Sequence, residues 1–289
     1  AKHAKEKNQI DLIHSNKKNL GVSNCRNIGI NLCLSTDYIT FLDADDCLYS
    51  DLSKIIGKKN IHADLVAFNF DYFYKNNVGK NKFYNEERAL EIKDIKKYFY
   101  NYLEKPNKNL LFTTCWSKLY KTKLLVSNKS LYFNQQLYLC EDTDFVFRFL
   151  TNSKSVQYID IPIYLHNLGH GRQNLNKATF GVKLDNKHQL SFLAAVKSCK
   201  KYLIKNGDTA LEIKNKIDHC IGSYNIIYII RSCMKINSIS SFISTYLFWK
   251  DLYNRKVISN KMINYSFERA GGGWFLPFLI KNKMYFVLI

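Results

Sequence analysis

Proline and glycine are scarce in this chain, and their scarcity argues against extensive disorder. Among 289 residues there are 3 prolines and 12 glycines, whereas 46% of the residues are hydrophobic and 15% are aromatic. A chain of this length and composition can bury a substantial core. It fits one domain with an appendage, and no internal repeat is evident.

Motifs that mark several other kinds of protein are absent. The eight cysteines never form a Cys-x-x-Cys pair, which argues against zinc ribbons and thioredoxin chemistry, and scattered thiols fit a reducing cytosol. There is no Gly-x-Ser-x-Gly nucleophile elbow and no Gly-x-x-x-x-Gly-Lys-Ser/Thr phosphate loop. In the carboxyl-terminal tail, residues 271–289, lysines interrupt the aromatic and aliphatic run before it reaches the ~20 residues of a membrane span.

Acidic residues are outnumbered by basic ones. The chain has 43 Lys and Arg against 24 Asp and Glu, a formal net charge of +19. Such a surface attracts nucleic acid, anionic lipid or phosphorylated substrates. Because no arginine-rich RNA motif or zinc finger is present, we expect no nucleic-acid partner and favour an anionic membrane surface. The expected location is the cytoplasm, including a peripheral position on the inner face of the plasma membrane.

A short apolar segment that ends in three acids is the most informative motif. Residues 38–42 are rich in aromatic and branched side chains, as in a strand, and Asp43, Asp45 and Asp46 follow them. In open α/β sheets, ligands bind at the carboxyl ends of strands. Magnesium or manganese ions there take one or two carboxylates plus substrate phosphate oxygens. The motif therefore predicts a divalent cation held against a diphosphate.

Other interpretations of these acids remain open. Asp46 can cap a helix over residues 48–56, with the other acids as solvated turn residues. A phosphatase or phosphotransferase of the aspartyl-nucleophile, HAD-like type would use Asp43 as nucleophile and Asp45 as acid or base, although Cys47 stands where such enzymes usually have threonine. A noncatalytic basic module would bind nucleic acid or anionic lipid without needing the acids.

A second acidic pair, Glu141 and Asp142, precedes an apolar stretch. Phe145, Phe147, Phe149 and Leu150 follow at spacings that fit a buried helix, which places Asp142 in its first turn. The aligned amides there stabilise negative charge and keep a carboxylate ionised near neutral pH. An ionised carboxylate can accept a proton from an attacking hydroxyl.

Two further blocks accompany the acidic motifs: NLGVSNCRNIG at residues 19–29 and WSKLY at 116–120. The second acidic motif itself lies in the block CEDTDF at residues 140–145. In this order and at these distances, over residues 10 to 170, the blocks resemble the family 2 glycosyltransferases of the GT-A fold, bacterial enzymes that build capsule, O-antigen and lipooligosaccharide chains. The resemblance implies an α/β, Rossmann-like GT-A domain over residues 1–183 and a helical C-terminal region over residues 184–289.

The resemblance assigns roles to individual residues. Asp45 matches the metal-binding acid of the family's Asp-x-Asp element, and Asp43 lies beside it facing the nucleotide. Asp46 either binds a metal as well or supports the residues that do. Glu141 and Asp142 match the pair that supplies the catalytic base in inverting members, and we assign the base to Asp142. The residues expected at the donor are Asn19, Gly21, Arg26, Asn27 and Asp43.

Residues 163–173 occupy the place of a strand and loop beside the donor phosphates. We expect Arg172 or His170 to contact the diphosphate, or His170 to supply an additional metal ligand. The glycines around His170 favour a loop over a helical pair of zinc-binding histidines. The family pattern here is more Arg-Ser-like, so the phosphate contact is left open.

The resemblance implies a reaction and its partners. A sugar would pass from a nucleotide-diphosphate donor to a hydroxyl of a glycan or lipid-linked glycan acceptor, in a single displacement with Mn²⁺ or Mg²⁺ as cofactor. Family members begin with two strands, the second ending in an Asp-Asp-Gly-Ser type of element at the donor base. Nothing in residues 1–30 resembles that element, so we expect the sequence to lack these first strands.

The C-terminal region is expected to be helical. Residues 190–203 and 211–228 follow three- and four-residue apolar steps, with Gly207 where the first helix stops and Asp208 before the second. We expect these helices to close the acceptor side of the catalytic domain. The tail, residues 271–289, is expected either to lie in a membrane interface or to pack on the protein's own core. The apolar side of the second helix is predicted to carry Leu211, Ile217, Ile221, Tyr224 and Tyr228.

Overall fold

The computed structural model describes residues 20–49, 52–74, 76–106, 110–168, 186–233 and 238–254. In chain order the elements are α1 (Val22–Leu32), β1 (Tyr38–Ile39), β2 (Cys47–Leu48), α2 (Leu52–Lys58), β3 (Leu65–Tyr74), β4 (Asn77–Lys80), β5 (Arg88–Leu90), α3 (Ile92–Glu104), β6 (Lys118–Lys121), α4 (Thr122–Ser127), a 3-10 turn (Lys129–Leu131), α5 (Glu141–Asn152), β7 (Val156–Asn167), α6 (Asn186–Lys205), α7 (Ala210–Cys233) and α8 (Ile239–Asn254).

Seven strands of the described residues form one mixed sheet. Its central order is β1-β6-β3-β7-β2, with β4 paired to β3 and β5 paired to β7. β3 and β7 are parallel, and β6 is antiparallel to both β1 and β3, so β1, β3 and β7 point the same way. The residues after β1 and at the end of β7 therefore meet at one sheet edge, where ligands bind in α/β folds.

Alternate residues of β3 supply two hydrophobic cores, because successive side chains of a strand point to opposite faces. Leu65 and Ala67 belong to the larger core, which also takes aromatic residues of α3, α5 and α6. Val66 and Phe68 belong to a smaller core on the other side, with Trp116. Both faces of the strand are covered, which explains its long apolar run.

The helices after residue 185 pack on the rest of the protein. α6 lies against α5, and α7 lies against α3. Lys96 of α3 donates to Asp208 over 2.6 Å. Gly207 takes a φ of 98° at the end of α6, and Thr209 forms a reciprocal cap with Glu212. The two predicted helices are confirmed, and residues of both, such as Val196 and Ile213, belong to the larger core. Leu190, where the predicted apolar run of the first helix begins, is a correction because it is 64% exposed.

The division predicted between residues 183 and 184 lies outside the described residues and stays a prediction. Leu211 is a correction: it is 80% exposed, and Ile213 is buried in its place because α7 turns that side towards α3 and α6. Tyr228 and the tail lie beyond the side chains that the structure describes. Among the described helices, none is long and apolar enough to span a membrane.

Two local predictions were wrong in extent. The strand expected over residues 38–42 is paired only at Tyr38 and Ile39, where the ladder with β6 ends. The helix expected over residues 48–56 begins at Leu52, because Cys47 and Leu48 pair instead with β7. Asp46 therefore precedes a strand and does not cap that helix.

Candidate active site

The turn that carries the three acids is held by Asp46. This residue is buried, and its carboxylate accepts hydrogen bonds from the hydroxyl of Tyr164 over 2.6 Å and from the backbone N–H of Asn167 over 2.7 Å. The Nδ1 of His166 lies 3.1 Å from both carboxylate oxygens. Burial raises the pKa of Asp46, but the bonds from His166, Tyr164 and Asn167 outweigh it and leave the pKa below its ordinary value. Asp46 thus fastens the turn to the end of β7.

An aromatic stack supports the partners of Asp46. The Trp116 ring stacks on Tyr164 with centroids 4.6 Å apart and an interplanar angle of 7°, and on His166 at 5.2 Å and 27°. Nearby, the buried Lys118 donates to the Trp116 carbonyl over 2.9 Å, and burial lowers the pKa of this lysine to about 7. Sequence reasoning missed the role of Tyr164 and His166. Their spacing of two at the end of a strand, which places both on one face, was the available signal.

Arg26, on α1, joins the two acidic motifs. Its Nη2 donates to Asp43 over 2.8 Å, and its Nη1 contacts Glu141 at 3.3 Å and also bonds Asp142. The side chain is 11% exposed, and its guanidinium lies 5.2 Å from the Phe133 ring centroid. Burial lowers the pKa of Arg26, but the carboxylates, Asp142 foremost, raise it above its ordinary value. A permanent cation therefore sits among three carboxylates.

Two of the acids around Arg26, Asp43 and Glu141, have raised pKa values. Burial raises the pKa of Asp43, and Arg26 offsets only part of this effect. Burial and the neighbouring Asp142 raise the pKa of Glu141 to about 7. A carboxyl that titrates near neutrality beside a second acid is typical of a functional site.

Asp142 lies where the sequence predicted, in the first turn of α5. Its Oδ2 accepts the backbone N–H of Cys115 over 3.3 Å, and Cys140, just before the helix, takes a left-handed φ of 57°. Glu141 and Asp142 also line a cavity of about 250 Å³, whose wall includes Phe192 of α6. The acid pair thus faces both Arg26 and an adjoining recess.

Other residues predicted at the donor have varied settings. Gly21 takes a φ of 84° just before α1, a backbone conformation that favours glycine. The buried Asn27 bonds the backbone of Phe133 through both amide atoms, at 2.8 and 2.9 Å, so its side chain braces the loop under Arg26. Three further predicted residues, Asn19, His170 and Arg172, lie outside the described residues.

The three acids differ in their fitness to hold a metal. Asp45 is exposed and has no hydrogen bond to any residue in the described part of the chain, whereas Asp43 binds Arg26 and Asp46 is engaged with β7. No group of three or more His, Cys, Asp or Glu able to hold a metal occurs within the described ranges. Asp45 with Asp43 fits a Mg²⁺ or Mn²⁺ ion bound largely by substrate phosphate. Because the carboxylate of Asp46 already accepts hydrogen bonds from residues of β7, Asp46 fits a supporting role.

Comparisons with known proteins bear on the family and the fold. Residues 1–126, a little under half of the chain, match the family model described as Glycosyl transferase family 2. No curated protein sequence matches the chain. Among solved structures, S. aureus TarS 1-349 in complex with UDP-GlcNAc is similar with a TM-score of 0.52 and 14% identity, over 94% of this chain and 79% of that chain.

A second structure gives the same result. S. aureus TarS 1-349 without a named ligand has a TM-score of 0.51 and 14% identity, over 94% of this chain and 78% of that chain. At this identity the likeness speaks to the fold alone. The structural likeness shows the GT-A fold, and the match over residues 1–126 supports a glycosyltransferase.

Proposed function

We propose that this protein moves a sugar from a nucleotide-diphosphate donor to a hydroxyl of a glycan or lipid-linked glycan, with inversion at the anomeric carbon. The observation that carries the proposal is the position of Arg26. One guanidinium contacts Asp43 after β1 and the Glu141-Asp142 pair of α5. The donor-side acid and the candidate base therefore share one site.

Asp142 is the proposed general base. It would accept the proton of the acceptor hydroxyl as that oxygen bonds the anomeric carbon and the bond from that carbon to the phosphate oxygen breaks. Arg26 contacts the carboxylate of Asp142 directly, so a cation lies beside the proposed base. Glu141, with its raised pKa, is the weaker candidate because more of it is protonated near neutral pH.

Asp45 and Asp43 are the residues proposed to hold Mn²⁺ or Mg²⁺ together with the donor diphosphate. A bound ion of this kind neutralises charge that develops on a leaving phosphate. Asp46 and the stack of Tyr164, Trp116 and His166 orient the turn from which both acids project. Arg26 would also meet the donor, as the sequence suggested, once negative phosphate competes with the acids for it.

Separate observations support the proposed donor, acceptor and location. The TarS complex contains UDP-GlcNAc, so UDP-sugars are the first donors to test here. The sequence blocks favour a bacterial surface glycan, such as capsule, O-antigen or lipooligosaccharide, as the product. A net charge of +19 supports a cytoplasmic enzyme that is peripheral on an anionic membrane.

The test is a screen of UDP- and GDP-sugars with Mn²⁺, in which release of nucleotide and of inorganic phosphate are measured separately. A glycosyltransferase releases the nucleotide and transfers the sugar to an acceptor or to water. Release of phosphate without sugar transfer would instead indicate the phosphatase alternative. At the Mn²⁺ concentration of the screen, Asp45→Asn should release much less sugar than the wild type, whereas Asp37→Asn, the same change at an exposed turn before β1, should retain the wild-type rate.

A further inference from the structure

The recess beside the acid pair has a mixed lining. Glu141 and Asp142 supply carboxyl groups, and most of the remaining wall is apolar, including Tyr102, Leu110, Leu139 and Phe192. A ligand that suits it carries a hydroxyl group at one end and a compact apolar group at the other, because burying apolar surface is favourable.

The volume of the recess limits what it can hold. At about 250 Å³, it exceeds the ~150 Å³ of an engineered protein cavity that binds benzene. An aryl ring or a short branched alkyl group fits within it. A whole oligosaccharide does not, so only the part of an acceptor next to the reacting sugar can enter.

Phe192 is the wall residue supplied by the C-terminal helices. It is 2% exposed and stacks on Tyr224 of α7, with ring centroids 3.8 Å apart and an interplanar angle of 5°. Its neighbour Ser191 accepts the backbone N–H of Tyr138 over 3.0 Å, which ties α6 to the segment leading into α5. α6 thus forms part of the wall of the recess and is bonded to the segment that precedes Asp142. This part of the wall lies beyond the residues that match the family model.

We propose that this recess binds an apolar aglycone of the acceptor, and that Phe192, backed by Tyr224, is a specificity-determining residue for it. This proposal rests on the proposed function. With the aglycone in the recess, the acceptor hydroxyl loses its proton to Asp142 and forms the new bond to the anomeric carbon. The electron pair of the broken bond leaves with the nucleoside diphosphate.

The test uses matched acceptors, p-nitrophenyl and methyl glycosides of the same sugars, with whichever UDP-sugar the wild-type protein hydrolyses. Burial of an aryl ring should lower the KM of the aryl glycoside about tenfold or more relative to the methyl glycoside. Leu139→Trp fills the recess from a half-buried position, so it should remove most of this preference through KM with a smaller change in kcat. Phe192→Leu should weaken the preference less.

Val126→Trp, at an exposed site on α4 outside the recess, is the control and should keep the wild-type preference. Equal KM values for aryl and methyl glycosides in the wild type, or an aryl preference that Leu139→Trp leaves intact, would overturn the proposal. Donor hydrolysis by the wild type tests the proposed function separately. Binding of the aryl glycoside, measured by calorimetry for the wild type and Leu139→Trp, tests the recess without turnover: binding that Leu139→Trp abolishes supports the proposal, and absence of binding to the wild type contradicts it.

Discussion

Replacing Arg26 with methionine is the sharpest perturbation of the acid cluster, since methionine keeps much of the side-chain volume and removes the charge. In the wild type the guanidinium is 11% exposed and contacts Asp43, Glu141 and Asp142. Without it, the partly buried Asp43 and Asp142 keep negative charge that the arginine no longer balances. Removing one partner of a buried ion pair costs about 3–5 kcal/mol.

That loss should be visible in the melting temperature. At ~2–4 °C per kcal/mol for a chain somewhat smaller than this one, the expected fall in Tm at pH 7 is roughly 6–20 °C. Circular dichroism on the wild type and Arg26→Met measures it directly. Arg26→Lys, which keeps the charge but loses the planar fork, should give an intermediate fall.

The pH dependence of the same comparison checks its cause. Arg26 lowers the pKa of Asp43, so without Arg26 this pKa rises further and Asp43 becomes neutral more easily as the pH falls. The difference in Tm between the wild type and Arg26→Met should therefore shrink towards pH 4. A Tm for Arg26→Met within about 2 °C of the wild type at pH 7 would refute the argument that this arginine balances the buried acids.

Three further predictions address single groups. The pKa of Glu141 is raised from 4.5 to about 7, so ionisation of Glu141 destabilises the fold as the pH rises between these values. In urea denaturation, the free energy of unfolding of Glu141→Gln should exceed that of the wild type by up to ~3 kcal/mol at pH 8 and should equal it at pH 4. The pKa of Asp46 is depressed, so its bonds stabilise the fold above the unfolded pKa and that stability is lost as the pH falls through the folded pKa; Asp46→Asn should cost about 1–3 kcal/mol at pH 7, and equal stability of the two proteins at pH 7 would contradict this. Chelation with EDTA should stop donor hydrolysis and Mn²⁺ should restore it, with Asp45→Asn needing more Mn²⁺; unchanged activity in EDTA would remove the metal from the proposal.

Local patterns in the sequence predicted the helices well. After Asp142, Phe145 and Phe149 are four residues apart and Phe147 and Leu150 are three apart, and all four lie buried in α5. The first-turn position of Asp142 was therefore predictable. Gly207 and Asp208 marked the break between α6 and α7 because glycine accepts the left-handed conformation observed there. The ordered blocks also indicated the GT-A fold.

Contacts between distant parts of the chain were harder to predict. Cys47 and Leu48 pair with β7, more than a hundred residues later, and this pairing moved Asp46 away from the helix it was expected to cap. Arg26 was expected at the donor, but its partners in this structure are the acids of both motifs, a contact that no local spacing encodes. Leu211 matched the apolar stripe of α7, yet tertiary packing selected Ile213.

The most direct test of the central claim is sugar transfer by Asp142→Asn at saturating donor and acceptor. Asparagine keeps the shape of the side chain but cannot take up the acceptor proton. We predict a fall in kcat of about 100-fold or more, while calorimetry shows the nucleotide dissociation constant unchanged within about threefold. Transfer by Asp142→Asn at the wild-type rate would contradict the assignment of this residue as the base.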